Sequence, residues 1–374
     1  MAGIYVHVPF CKSKCYYCDF YSIVDQSIKE SYLKALKNEV KIRKNFFNDK
    51  EYIETLYIGG GTPSILSIKE IEEITDVIFN NFKINKNYEF TIEVNPDDVN
   101  REYMENLIKL GINRISIGIQ TLNNKILKII NRRHDREISL RALDIIFAAG
   151  FQNVSVDLIY GLPYQTIRDI ENDIIELLKF PLKHISAYSL IIEDGTYIKE
   201  LVNFKKVELP DEEQIVEQYK KIIDILKNRN FIHYEISNFA MEGFYSIHNS
   251  NYWKQEKYIG LGPSAHSYDK EFRYMNFSDL EKYINNINNN QIFFEQERLT
   301  LSDKYNEYIL TGLRTMWGIS LTKVVKDYNQ YYKILIEAIK KYSKYIKIID
   351  NDIIHLTEEG FFISDRIISE CFAI

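Results

Sequence analysis

Cysteine is scarce in this chain. There are four in 374 residues, and three of them fall within eight positions. That distribution excludes a disulfide framework and points to a reducing compartment. A basic excess is missing too: 47 Lys and Arg stand against 53 Asp and Glu, a net charge of −6. A nucleic-acid partner therefore has no electrostatic support. No apolar run is long enough to span a bilayer. The N-terminus lacks the basic and apolar regions of a secretory signal, so a cytoplasmic protein without a transmembrane segment is expected. No internal repeat is present. What the chain does have, 45 % apolar and 27 % charged residues, is the make-up of a globular protein with a full core.

The clustered cysteines are Cys11, Cys15 and Cys18, in the stretch IYVHVPFCKSKCYYCDF. Tyr5 and His7 alternate with Val6 and Val8 in the two-residue period of a strand, and Pro9 ends it, so the thiols lie on the loop beyond. Three thiolates at this spacing are metal ligands, with one coordination position left open. Zinc sites of the Cys3His kind usually come as paired knuckles, and no second pair exists here. An iron–sulfur cluster with one free iron fits better.

Beyond the cysteines, strands and helices alternate. Ile28, Tyr32, Leu36 and Val40 mark one amphipathic helix; Ser67 and Glu70 have the capping-box spacing that opens another. Strands are predicted at Thr55–Ile58, Tyr88–Val94, Arg114–Ile119, Asn153–Leu158, His184–Leu190 and Phe231–Ile236, with helices near Arg101–Leu110, Ile167–Leu178 and Glu213–Lys227 between them. Such alternation means an α/β protein with a parallel sheet, closed fully or partly into a (β/α) barrel over residues 1–240. The cysteines, the turn Gly59-Gly60-Gly61-Thr62-Pro63, Glu93, Gln120 and Asp157 all fall at C-terminal strand ends, the rim where parallel barrels place their chemistry. Residues 241–374 are expected to form a connecting loop region and a smaller, mainly helical domain. Ser246–Tyr268 reads as ordered loop and Ile284–Gln291 as a turn or linker. Helices leading into the hairpin Ile346–Leu356 suggest a winged-helix-like shape, but its balanced charge favours packing over DNA binding.

The spacing C-x-x-x-C-x-x-C, with Tyr17 before the last cysteine, resembles the radical S-adenosylmethionine (SAM) superfamily. The wider string Y-V-H-V-P-F-C-x-x-x-C-x-Y-C resembles the oxygen-independent coproporphyrinogen III oxidase family, and within it the haem-chaperone (HemW-type) branch. The resemblance implies a 4Fe–4S cluster on Cys11, Cys15 and Cys18, with SAM exchangeable at the fourth iron. It assigns Gly60, Gly61 and Thr62 to the methionine amino group, and Arg132 to the carboxylate, with Arg133 one register away. Glu93, Gln120 and Asp157 match further cofactor contacts, Glu93 suiting a ribose hydroxyl or amino group. Tyr5 and Tyr17 match positions that pack the cofactor and lie beside the adenine. An electron donor such as a flavodoxin or ferredoxin is implied as well.

The residues after Cys18 bear on the branch. The oxidase pattern continues C-x-C, whereas this chain has Phe20 at that position. The chain as given also starts too close to Cys11 for the oxidase's N-terminal extension. Conversely, His248-Asn-Ser-Asn-Tyr-Trp253 matches the H-N-x-x-Y-W signature of the haem chaperones. That implies His248 as a haem contact, haem as a further ligand and a haem-acceptor protein as partner. No catalytic residue is assigned. Porphyrinogen decarboxylation, or another radical reaction, stays open as the alternative.

Overall fold

Two-residue alternation along the strands decides the architecture. A computed structural model describes residues 2–373. Its main sheet has twelve strands: β1 (Ala2–Val8), β2 (Ile53–Gly60), β3 (Ile84–Val94), β4 (Arg114–Gln120), β5 (Asn153–Tyr160), β6 (His184–Ser189), β7 (Ile232–Glu235), β8 (Asn238–Ala240), β9 (Lys257–Leu261), β10 (His266–Tyr268), β11 (Phe272–Asn276) and β12 (Phe294–Arg298). Their order is β12-β11-β10-β9-β1-β2-β3-β4-β5-β6-β8-β7. β9 and β1 through β6 run parallel, while the flanking strands are antiparallel. The order is linear, so the barrel is partial.

One phase of each parallel strand is apolar: Ile4, Val6 and Val8; Leu56 and Ile58; Phe90 and Ile92; Ile115 and Ile117; Val154 and Val156. These side chains share one hydrophobic cluster with the stripes of the surrounding helices, among them Leu36 and Val40, Ile71 and Ile74, and Ile170 and Ile174. The opposite phase, with Tyr5, His7, Tyr57, Glu93, Arg114, Ser116 and Asp157, turns to the lumen. An apolar lumen would be filled by its own side chains, as in a closed eight-stranded barrel. A polar one leaves room for a ligand.

Helix starts obey the predicted caps. Ser67 Oγ accepts from the Glu70 amide at 3.3 Å and Glu70 returns a bond to the Ser67 amide at 2.7 Å, opening the helix Ile68–Asn81. Beyond residue 240 the outcome differs from the sequence expectation. Ser246–Tyr268 is not loop: it holds the helix Ile247–Trp253, β9 and β10. The Asn-rich stretch is not a linker but largely part of the helix Leu280–Asn288, whose Leu280, Tyr283, Ile284 and Ile287 are buried. The seventh parallel strand is β9, which pairs with β1, whereas Ile232–Glu235 is an antiparallel edge.

The division expected at residue 240 thus falls inside the sheet, which runs on to Arg298. A buried polar knot ties this extension to the front. Glu39, on the helix Lys29–Ile42, accepts from Tyr283 Oη at 2.6 Å, Asn276 Nδ2 at 2.7 Å and the Gly262 amide at 2.7 Å. Arg43 pairs with it at 3.3 Å and reaches the Gly260 carbonyl at 3.0 Å.

From Tyr305 on, a second hydrophobic cluster forms. It gathers the helices Leu301–Leu313, Leu321–Asp327 and Tyr332–Lys341 with a small sheet of Ile319–Ser320, Ile346–Ile349 and Ile353–Leu356. This succession of helices and hairpin is winged-helix-like. It docks behind β7, where the Met316 amide bonds the Tyr234 carbonyl at 2.9 Å. Among the described residues no helix is long and apolar enough to cross a membrane.

Candidate functional site

Pro9 halts β1, and the chain leaves the sheet as a long loop that returns at Ile23. The Cys11 amide bonds the Ile23 carbonyl at 2.9 Å and the Ile23 amide bonds the Pro9 carbonyl at 2.7 Å, closing the loop at its base. His7 grips the returning limb, its Nε2 lying 2.8 Å from the Tyr21 carbonyl. The tip is held from the barrel side. The Tyr16 amide donates to the Ile130 carbonyl at 3.1 Å, and Lys12 pairs with Asp98 at 2.5 Å. Cys11, Cys15 and Cys18 are all free thiols.

These three sulfurs line a cavity of about 520 Å³ at the C-terminal mouth of the barrel, within the size range of small-molecule sites. Gly60, Gly61, Thr62, Glu93, Gln120, Arg132, Asp157 and Tyr17 line it too. The sequence assigned these residues from separate stretches, and the fold brings them together. The turn after β2 fits closely beneath the cysteine loop. The Gly61 amide donates to the Val8 carbonyl and the Thr62 amide to the Phe10 carbonyl, both at 2.8 Å. A Cβ on Gly61 would stand 2.7 Å from the Phe10 carbonyl oxygen and 3.0 Å from Cys11 Sγ, so glycine is required there. Thr62 Oγ1 donates to Cys11 Sγ at 3.4 Å.

The register of the arginine pair is resolved. Arg132 turns inward: Nη1 donates to Cys15 Sγ at 3.3 Å, and Nη2 to Asn95 Oδ1 at 2.8 Å and the Gly118 carbonyl at 2.6 Å. Its Nε is buried without a partner. Arg133 also borders the cavity but pairs with Asp97. Glu93 accepts from Tyr57 Oη at 2.8 Å and from the Gly60 amide at 3.1 Å. Burial pushes its carboxyl up to about 7, with the neighbouring Asp157 charge adding to the rise and both hydrogen bonds opposing it. Asp157 is raised by burial as well, against hydrogen bonds from Ser186 and Ser116. Gln120 sits where the β4–β5 register slips, in the left-handed region at φ 69°, a strain typical of functional positions.

Two assigned residues are placed elsewhere. Tyr5 stands in register with Tyr57 but does not line the cavity, its hydroxyl 3.2 Å from His7 Nδ1. His248 does not line the cavity: it is buried, with Nδ1 2.8 Å from Thr55 Oγ1 and Nε2 2.8 Å from Tyr252 Oη. Both ring nitrogens are thus engaged, Tyr57 stacks on the ring at 5.0 Å, and burial lowers its pKa to about 3, keeping it neutral. The imidazole thus lies behind Tyr57, whose ring lines the cavity and reaches the Gly59 position. The H-N-x-x-Y-W hexapeptide here plugs the barrel floor, and Glu89 caps its helix through the Ile247 and His248 amides at 3.0 and 2.9 Å.

Asn95 and Arg114 were missed. Asn95 bridges Thr62 Oγ1 and Arg132, and it stood in view in the E-V-N-P string. Arg114 lines the cavity floor, buried with its Nε unpartnered. The signal was its phase with Ser116 and Gly118 in R-I-S-I-G, a charge on the lumen side of an otherwise apolar strand.

No three His, Cys, Asp or Glu side chains among the described residues converge on one metal ion. A zinc site needs ligands about 2.3 Å from a single centre, whereas thiolates on a cluster each take a different iron. The donor set, three thiols with hydrogen bonds already aimed at two of them, suits the cluster. The model of the Radical SAM superfamily matches residues 5–177. The heme chaperone HemW of Lactococcus lactis subsp. lactis (strain IL1403) is 35% identical over 368 residues, 97% of this chain and 95% of that protein. The chain belongs to the HemW family of radical SAM proteins. HemW of Bacillus subtilis (strain 168) is 33% identical, with 98% of both chains covered. Among solved structures, coproporphyrinogen III oxidase (HemN) from Escherichia coli superimposes with a TM-score of 0.86 over 100% of this chain and 90% of that one; at 22% identity the likeness shows the fold. Membership of the radical SAM superfamily implies a 4Fe–4S cluster and SAM as cofactors.

Proposed function

We propose that this HemW-family chain binds haem and delivers it to an acceptor protein in the cytoplasm, with a 4Fe–4S cluster on Cys11, Cys15 and Cys18 and SAM at the fourth iron. The observation that carries this reading is the meeting of three free thiols, the Gly60–Thr62 turn, Glu93, Gln120, Arg132 and Asp157 on one cavity. Curated relatives named heme chaperones, matched along nearly the whole chain, support the delivery role. When bound, the reduced cluster and SAM supply one-electron chemistry at a sulfonium, the electron coming from a donor such as a flavodoxin or ferredoxin.

The chain's own residues bind and orient. Arg132 and Thr62 donate to cysteine sulfurs, which stabilises the thiolate form of each ligand. Burial pushes the Cys18 thiol up to about 11, so its ionisation relies on the charge of bound iron. Arg132 Nε has a donor left for the methionine carboxylate. Gly60 and Gly61 let the backbone approach the amino group, Glu93 and Asp157 accept from hydroxyl or amino donors, Gln120 contributes an amide, and Tyr17 offers a backbone contact beside the adenine.

Anaerobic reconstitution tests this. Wild type is expected to hold about four irons per chain and to bind haem. Alanine at Cys11, Cys15 or Cys18 is expected to abolish iron uptake, while Cys371→Ala, in the C-terminal cluster, retains it. Supplied with coproporphyrinogen III and reductant, the protein is expected to form no protoporphyrinogen IX. Stoichiometric product with 5′-deoxyadenosine would overturn the chaperone reading in favour of an oxidase.

A further inference from the structure

Large apolar side chains gather, uncovered, at the cavity mouth. Phe20 is 69% exposed and Ile191 66%, and Tyr188 is 41% exposed; all three line the same cavity as the cysteines. Their neighbours show that this is not a general looseness of the two segments. Tyr21, next to Phe20, packs on the main core and its Oη accepts from the Leu280 amide at 2.7 Å. Leu190 and Ile192, on either side of Ile191, pack on the small cluster under the cysteine loop. The Leu190 amide is tied to the Tyr160 carbonyl at 2.9 Å. Phe20 and Ile191 are therefore held out to water by backbones anchored alongside. Exposed apolar surface gathered around a cavity marks a binding site, and leaving these groups in water forfeits their burial energy until something covers them.

We propose that this mouth, and not His248, seats haem, with the flat face of the macrocycle on Phe20, Ile191 and Tyr188. The proposal rests on the haem-binding reading above and adds the place. Two features select this occupant. The patch is continuous with the cofactor cavity and open above it, as a bulky planar ligand requires. Lys14, Arg114 and Arg132 line the cavity without an ion pair among the described residues. Arg114 is buried and Arg132 is engaged by Cys15, Asn95 and Gly118, which leaves Lys14 free, while Arg133 is taken by Asp97. The acidic groups on the lining without such a partner, Asp19, Glu93, Asp157 and Glu193, repel carboxylates. The propionates are thereby directed to the Lys14 side.

Haem titration of the intact reconstituted protein, monitored by Soret absorbance, tests the site. Phe20→Ser and Ile191→Ser change exposed side chains and leave the fold intact. Each is expected to weaken haem binding about tenfold or more, the size of a central apolar contact, with iron content unchanged. Phe204→Ser, equally exposed at 71% but off the cavity, is expected to bind as wild type, which separates a site from general adhesion. His248→Gln is expected to retain haem. Undiminished binding in both mouth variants, or loss in His248→Gln with circular dichroism unchanged, overturns the site while leaving haem binding itself standing. A wild-type protein that takes up no haem overturns the functional reading and this site with it.

Discussion

Glu93 shows how much one carboxylate depends on its surroundings. Ionised, it can accept from a ligand; protonated, it loses that capacity. With its midpoint raised by burial to about 7, the acceptor form dominates above that pH and disappears below it. SAM affinity is therefore expected to fall as pH drops from 8 to 6, and Glu93→Gln to bind more weakly at pH 8 with a flatter profile; calorimetry across that range checks both. The cysteines were legible because spacing alone constrains ligands on one short loop. The surroundings of His248 were hidden for the complementary reason. A hexapeptide states its neighbours in sequence, whereas Thr55 and Tyr57, which occupy and stack on the imidazole, come from a strand nearly two hundred residues away. Arg114 was legible through strand phase, had the lumen been taken as polar.

Among the elements, helix starts were the most readable, since a cap is a local contract between a side chain and an amide three residues on. Ser67→Ala is expected to cost about 1 kcal/mol in denaturant unfolding while leaving iron content unchanged, because the capping box lies at the far side of the turn from the sulfurs. The helix Leu280–Asn288 was hidden by composition. Asparagines suggested a linker, although Leu280, Tyr283, Ile284 and Ile287 keep helical spacing. β9 was hidden by tertiary context, since a strand of five residues gives little period to count. What identifies it is the exposed edge of β1 that it covers.

For the whole molecule, the two ends of the sheet unit are joined by one buried knot. Removing the Glu39 carboxylate leaves Arg43 buried without its counter-charge and strips Tyr283, Asn276 and the Gly262 amide of an acceptor. Glu39→Ala is expected to destabilise by about 3–5 kcal/mol in chemical denaturation, and to loosen the cysteine loop through Tyr21 and Leu280. The alternation of strands and helices announced the α/β architecture and the active rim. The number of parallel strands it could not settle, because the seventh returns to the opposite side of the first.

That return has a consequence for biosynthesis. The ribosome releases the thiol-bearing strand about 250 residues ahead of its second neighbour β9, an interval on the order of tens of seconds at ordinary translation speeds. Through that delay the strand's outer edge is uncovered. Three reduced thiols thus stand beside a strand with one bare edge until residue 261 has emerged.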